Sequence, residues 1–484
     1  FSNKMIKNIL FKNNFFEIII FLQPHNEFKN IFKNFNLELV PKIKNLKNNS
    51  FKLSKLIRSY FLLNSYGYLI CIKSHKDELI TITDIISSIK IFYNNERIIG
   101  FNKLNTKNLK FDNQSLRELN SSGYTHGNNT IYKDIYSQES DSIYIWTNKK
   151  LYKKITFKFR DNNLNFNKDW YIRIGKDIKR KAKYLNKKGI LISLSGGLDS
   201  RIILMSCIKA KIRNIICFSY GPKNNPDANT AEKICKKLNI RWIDCTNIKA
   251  RRKRYKKYLE NYQVINSIPM DEAFEALDFL SNKYSKEYLL INGQTGDFIT
   301  GGHLVKTNSF KNKHELNLYI KNKFLKMNKF RNNFHVNQLF KKKNSLNSKY
   351  LYEVEDFEWK NRQTKYVTGV IKSYEYFGFE AYMPLWDGSF TNFWRKCSDN
   401  ELDNQNFYEK KIKKYSKEFD LLDIENMQNI YDGNLYLIKI LGKLISFNIL
   451  FFSKIIFIIL LFKSKYRHRI IKHNVFILFK SFFL

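Results

Sequence analysis

Apolar residues in the first 160 positions come in short runs bounded by polar turns, at 17–22, 67–72, 79–82 and 89–93. Their β-branched and aromatic content predicts strands, so this region is expected to be sheet-rich. Around Trp170 the pattern changes. A strand-like run at 189–194 leads through a glycine-rich turn into a helical stretch ending near Ala210, and a second strand follows at 215–219. Pro226 and Asp227 open a helix that carries Ala231, Ile234, Cys235 and Leu238 on one face. Further strands are expected at 240–243 and 288–292. Strand, helix, strand, helix, strand predicts an α/β fold with a parallel sheet covered by helices.

Two later stretches stand apart. The Lys/Asn-rich segment 306–345 reads as a solvated, mostly helical excursion. After about Gly433 the chain becomes a basic, apolar tail. Positions 444–462 are apolar except for Ser446, Asn448, Ser453 and Lys454, and a basic run follows at 463–472. A central lysine costs about 3 kcal/mol in a membrane span, so a helix packed on the preceding domain is the favoured expectation. A helix lying on an anionic bilayer remains the alternative. The expected division is 1–160, 165–432 and 433–484.

Composition narrows the class. With 484 residues, 43% apolar and 26% charged, the chain can fold around more than one core and is not a disordered chain. The formal charge of +42 comes from 85 Lys+Arg against 43 Asp+Glu. That excess is spread along a sequence rich in Lys, Asn, Ile, Phe and Tyr, so it reads as compositional drift rather than a dedicated nucleic-acid surface. No specific nucleic-acid partner is expected, while adhesion to an anionic membrane or polymer stays open. Six cysteines form no CxxC pair and mostly sit in apolar runs, which argues for a reducing, cytoplasmic setting without disulfides or structural zinc. The first twenty residues lack the apolar core and cleavage site of a signal peptide.

The strongest chemical signal is Leu194-Ser195-Gly196-Gly197-Leu198-Asp199-Ser200. A buried strand ends there and a helix begins near Asp199. Glycines let backbone amides approach an anion closely, and the helix start adds orphan N–H groups. Ser195 and Ser200 can donate hydroxyls. No lysine follows the glycines, which excludes a Walker loop. Asp199 offers a hard oxygen suited to Mg²⁺.

This segment resembles the pyrophosphate loop of the N-type ATP pyrophosphatases, and of the asparagine synthetase (glutamine-hydrolysing) family in particular. Three further segments agree. Phe218-Ser219-Tyr220-Gly221 stands where that family sets adenine and ribose against backbone atoms. Asn292-Gly293-Gln294-Thr295-Gly296-Asp297, continuing to Gly301-Gly302-His303, resembles its second glycine loop, whose aspartate is the other magnesium ligand. Phe379–Asp387 resembles its Glu-Ala-Arg-x-Pro-Phe-Leu-Asp segment. Seven of the 18 glycines lie in these loops.

The resemblance implies an adenine nucleotide α-hydrolase-like domain that binds ATP and Mg²⁺ and forms an amide with release of AMP and pyrophosphate. Asp199, Asp297 and Gln294 are the implied catalytic positions, with both aspartates on the metal. Aspartate as acceptor, yielding asparagine, is the family default. Another carboxylate, such as a sugar or amino acid of a surface polysaccharide, is the competitor; a nucleotide-binding pseudoenzyme and a tRNA-modifying enzyme are further alternatives. A homodimer is also open. Gln294, Phe298 and Tyr382 replace family Glu, Glu and Arg, which bears on the substrate. The family's late lysine has only Lys439 and Lys443 as candidates, and His303 reads as a polar loop residue before a catalytic one. Residues 1–160 more weakly resemble the family's glutaminase half, an Ntn-hydrolase-like α+β domain, through 67–72, 84–93 and 122–135. That half works through an N-terminal cysteine, whereas this sequence starts Phe1-Ser2. The expectation is a degenerate glutaminase half, or a start lying upstream.

Overall fold

The computed structural model describes residues 6–424 apart from 13–15, 24–27, 45–48, 63–65, 75–76, 149, 161–168, 250–251, 311–312, 325–351 and 423. The tail at 433–484, with Lys439 and Lys443, and most of the excursion at 306–345 lie outside the described residues.

The first part is an antiparallel sheet in the order β1 (Ile6–Lys12), β2 (Phe16–Leu22), β3 (Tyr68–Ser74), β4 (Glu78–Thr83), β8 (Ser142–Thr147), β9 (Lys150–Thr156). A smaller sheet joins β6 (Ile98–Phe101), β5 (Ile91–Tyr93) and β7 (Tyr136–Ser137). Helices α1 (Phe28–Glu38), α2 (Val40–Lys44) and α3 (Ser50–Leu62) cover one face of the large sheet. Phe35, Leu39, Ile43, Leu53, Ile57 and Phe61 pack there on Ile18, Ile20, Ile70 and Ile82. Alternation along β2 to β4 sends Ile19, Leu69 and Cys71 to the other face. Helix α4 (Asn113–Ser122) is capped by Asp112 and stopped by Gly123 at φ 89°.

The second part is the parallel sheet expected from the sequence, in the order β12 (Arg241–Thr246), β11 (Ile215–Gly221), β10 (Gly189–Ser193), β13 (Tyr288–Ile291), β14 (Ala381–Tyr382). All four pairings are parallel. Strands β10 and β13 are buried on both faces, hence their continuous Ile/Leu runs. On one face lie α5 (Trp170–Tyr184), α6 (Leu198–Lys209) and α7 (Pro226–Lys237); on the other lies α9 (Phe274–Tyr284), reached through α8 (Arg252–Asn261). The chain reverses its winding between β10, which is followed by β11 on one side, and β13 on the other. Open α/β sheets form their ligand crevice at such a switch point.

The two parts share a core. Tyr66, Ile85, Ile86 and Phe159 pack in the same cluster as Trp170, Trp359, Tyr382 and Trp386. The Tyr66 hydroxyl accepts from the Met383 amide at 2.7 Å, and Trp359 Nε1 donates to the Ile85 carbonyl at 2.8 Å. Buried Asp141 receives Arg58 at 2.6 and 2.7 Å and Arg395 at 3.3 Å. Among the described residues no helix is long and apolar enough to cross a membrane.

Candidate active site

At the carboxyl end of β10 the chain turns through Leu194–Gly197 into α6. The turn is pinned to its neighbours. The Leu194 amide donates to the Phe218 carbonyl at 2.9 Å, and the Ser219 hydroxyl donates to the Leu194 carbonyl at 2.8 Å. Trp242 Nε1 donates in turn to the Ser219 hydroxyl at 3.0 Å. Within the turn, the Ser195 amide donates to Ser200 Oγ and the Gly197 amide to Ser195 Oγ, both at 3.1 Å. Gly196 donates to Asp227 Oδ1 at 3.2 Å. Gly197 occupies the cap position of α6, and no side chain caps that helix start. An uncapped start keeps donor groups and the positive end of the helix dipole for an anion.

The second glycine loop closes on the first. A Cβ at Gly293 would stand 3.1 Å from the Ser200 amide nitrogen, and one at Gly296 only 2.2 Å from an Asp199 carboxylate oxygen. Glycine at these two positions is what lets β13 and its loop meet the first turn of α6. The Asp297 amide then donates to Asp199 Oδ2 at 3.0 Å, and Tyr408 donates its hydroxyl to Asp199 Oδ1 at 2.7 Å. The two aspartates, 98 residues apart in the chain, are thus brought together. Burial, and then the neighbouring Asp297 carboxylate, raise the Asp199 pKa to about 7.

His303 completes the cluster. Its Nε2 faces Asp297 Oδ2 at 2.9 Å and its Nδ1 faces Glu358 Oε1 at 2.6 Å. With a carboxylate on each ring nitrogen, both nitrogens act as donors, so the ring is an imidazolium. Burial works against that charge, but Glu358 and Asp297 win and raise its pKa to about 9. Burial would also raise Asp297, yet His303 holds it below the usual carboxylate range. Glu358 is buried and further paired with Arg362 at 2.9 Å and Lys323 at 3.0 Å. It begins a π-helical stretch, Glu358–Tyr366, whose wider turn places Arg362 and Gln363 on the Glu358 carboxylate.

Not every expected residue joins the cluster in the same way. The Phe218 side chain is core, so only its backbone borders the turn. Gly221 adopts φ +115°, which ends β11 in a conformation that favours glycine. Gln294 bonds to neither aspartate; its amide nitrogen faces Met270 Sδ at 3.9 Å, and its buried Oε1 has no hydrogen-bond partner. His303 is more than the polar loop residue the sequence favoured. Glu358, Arg362 and Tyr408 were not singled out from the sequence, because a charged residue in a charged helix and a Tyr in a Lys-rich one carry no local signal.

A model of the asparagine synthase family matches residues 187–415. Residues 187–415 belong to the asparagine synthase family. The asparagine synthase segment contains both glycine loops, Glu358 and Tyr408, and leaves residues 1–186 outside the match. No protein of curated function matches the chain significantly. Similar solved structures include an NMN synthetase from Francisella tularensis, at 16% identity and TM-score 0.22, over 28% of this chain and 59% of that one. An NH3-dependent NAD synthetase from Campylobacter jejuni matches at 20% identity and TM-score 0.21, again over 28% and 59%. A glutamine-dependent NAD+ synthetase from Acinetobacter baumannii matches at 14% identity and TM-score 0.21, over 39% and 41%. The chain thus spans under two thirds of the length of these relatives.

Proposed function

We propose that the chain is an ATP-dependent carbon–nitrogen ligase that forms AMP and pyrophosphate. The observation that carries this reading is the meeting of two glycine loops at Asp199 and Gly296, beside an uncapped helix start. A substrate carboxylate would attack the α-phosphorus, and the bond to the β-phosphate oxygen would break. Pyrophosphate would leave toward Ser195–Ser200, and an amine would then displace AMP to give the amide. Phe218, Ser219 and Gly221 would border adenine and ribose through their backbone atoms. Positioning and fixed positive charge do most of this work.

Mg²⁺ fits the residues present. The Asp297 amide on Asp199 brings the two carboxylates to one place, where burial first and then the Asp297 charge raise the Asp199 pKa to about 7. Mg²⁺ is commonly held by one or two carboxylates together with substrate phosphates rather than by a full protein cage. Asp199 and Asp297 would hold it, with His303 and Glu358 orienting Asp297, and it would supply charge neutralisation for the departing pyrophosphate.

Asparagine is the default product. A second acceptor class, a sugar or amino-acid carboxylate, is favoured by two neutral positions: Gln294 lies against Met270, and Tyr382 is buried in the core. Pyrophosphate–ATP exchange with a panel of carboxylic acids tests the reading. Exchange that depends on one acid and vanishes in Asp199→Asn is expected. Full exchange in that variant removes the assignment of Asp199, and tight ATP binding without exchange for any acid favours a pseudoenzyme.

A further inference from the structure

Arg201 follows the first glycine loop directly and sits in the first turn of α6. It is 3% exposed. Nη2 donates to the Gly196 carbonyl at 3.2 Å and Nη1 to the Ile424 carbonyl at 3.1 Å, while Nε is buried without a partner. Among the described residues no carboxylate pairs with it. Burial lowers its pKa, and no acidic neighbour opposes that shift. The position is unusual on two counts. A buried charge is ordinarily paired, and a cation in the first turn of a helix opposes the helix dipole. Two positive sources, the helix start and the guanidinium, therefore converge on one loop whose nearby carboxylates, Asp199 and Asp227, hold backbone amides and make no ion pair with Arg201.

We propose that Arg201 is a positioning residue that gives the 195–200 loop its preference for a polyphosphate: it holds the Gly196 carbonyl and adds a fixed charge beneath the loop. This rests on the reading of that loop as a pyrophosphate seat. The ligand class is a condensed phosphate with several charges, either free pyrophosphate or the tail of a nucleoside triphosphate. A neutral nucleoside gains nothing from the charge.

Calorimetry on the full chain with inorganic pyrophosphate, ATP and adenosine tests the idea. Arg201→Met is expected to bind pyrophosphate and ATP about tenfold more weakly or worse, with adenosine affinity unchanged. Arg201→Lys, which keeps the charge and an ammonium donor for the Gly196 carbonyl, is expected to stay within about threefold of the parent for both anions. Arg201→Met binding pyrophosphate as the parent does overturns the role of Arg201 and leaves the nucleotide reading intact. A parent chain that binds neither pyrophosphate nor ATP overturns both. Should methionine at 201 prevent folding, Arg201→Lys decides: a tenfold loss for pyrophosphate with adenosine affinity intact shows that the charge is not what matters, and overturns the proposal.

Discussion

Gly296 and Asp199 touch so closely that one methyl group separates the present arrangement from a disrupted one. The Cβ of an alanine at 296 would fall 2.2 Å from the Asp199 carboxylate, which Tyr408 and the Asp297 amide hold in place. Gly296→Ala is therefore expected to displace Asp199 and to cut pyrophosphate–ATP exchange on the order of a hundredfold. Circular dichroism should show the fold retained; unchanged exchange would mean that Asp199 is free to move aside. The Asp199 carboxyl also makes a pH prediction. Its pKa is about 7 in the fold against an ordinary 3.8. Between those values the folded chain keeps a proton that the unfolded chain releases, so this group's contribution to stability falls as pH rises from about 4 to about 7. Asp199→Asn removes that loss. The variant should gain on the order of 1 kcal/mol over the parent at pH 7.5, and less at pH 5. Melting temperatures of the two proteins at both pH values decide it, and a gain that does not grow with pH contradicts the assignment.

Between elements, the contact that sets the loop is α5 on α6. Gly175 lies on the buried face of α5, where a Cβ would meet the Ser206 carbonyl oxygen at 2.0 Å and Ala210 Cβ at 3.0 Å. Trp170, Ile174 and Ile178 of the same helix are buried in one core with Ile202, Ile203 and Met205 of α6. Gly175→Ala should cost about 1–3 kcal/mol through overpacking, measured as a lower urea midpoint. A smaller loss would show that the helices part more easily than their packing suggests. Strands β10 to β13 and helices α6 and α7 were legible in the sequence to within a few residues, because each is a continuous apolar run or a one-faced helical pattern, whereas α5, α8 and α9 were not read from it. The smaller elements were not. Strand β14 spans two residues, and β9, Lys150 to Thr156 at a sheet edge, holds three lysines among its seven residues, so neither stands out locally.

Across the whole molecule, Asp141 ties the antiparallel sheet to the asparagine synthase segment through Arg58 and Arg395. Burial would raise its pKa, but the two guanidinium groups, Arg58 first, hold it below the ordinary range. Its stabilising contribution is therefore present above the usual carboxylate pKa and lost as pH falls through the depressed value. Removing it leaves two buried cations without their shared partner, for which the expected cost is about 3–5 kcal/mol. Asp141→Ala should lower the urea midpoint accordingly, with the shared core keeping unfolding a single transition. A loss under about 1 kcal/mol, or two separate transitions, would mean that the two parts are joined more loosely than this core implies.

The sequence by itself determined what depends on neighbours along the chain. Hydrophobic periodicity marked β10 to β13 and helices α6 and α7, and the run at 194–200 marked a strand turning into a helix around glycines. Only the tertiary structure decided which distant groups meet. The family resemblance already implies Asp199 and Asp297 at one metal; the Asp297 amide on Asp199, and the placement of His303 between Asp297 and Glu358, come from β10 and β13 lying side by side and from a π-helical turn that delivers Glu358. No local pattern encodes such a meeting, because its charges are offset by partners drawn from elsewhere in the chain.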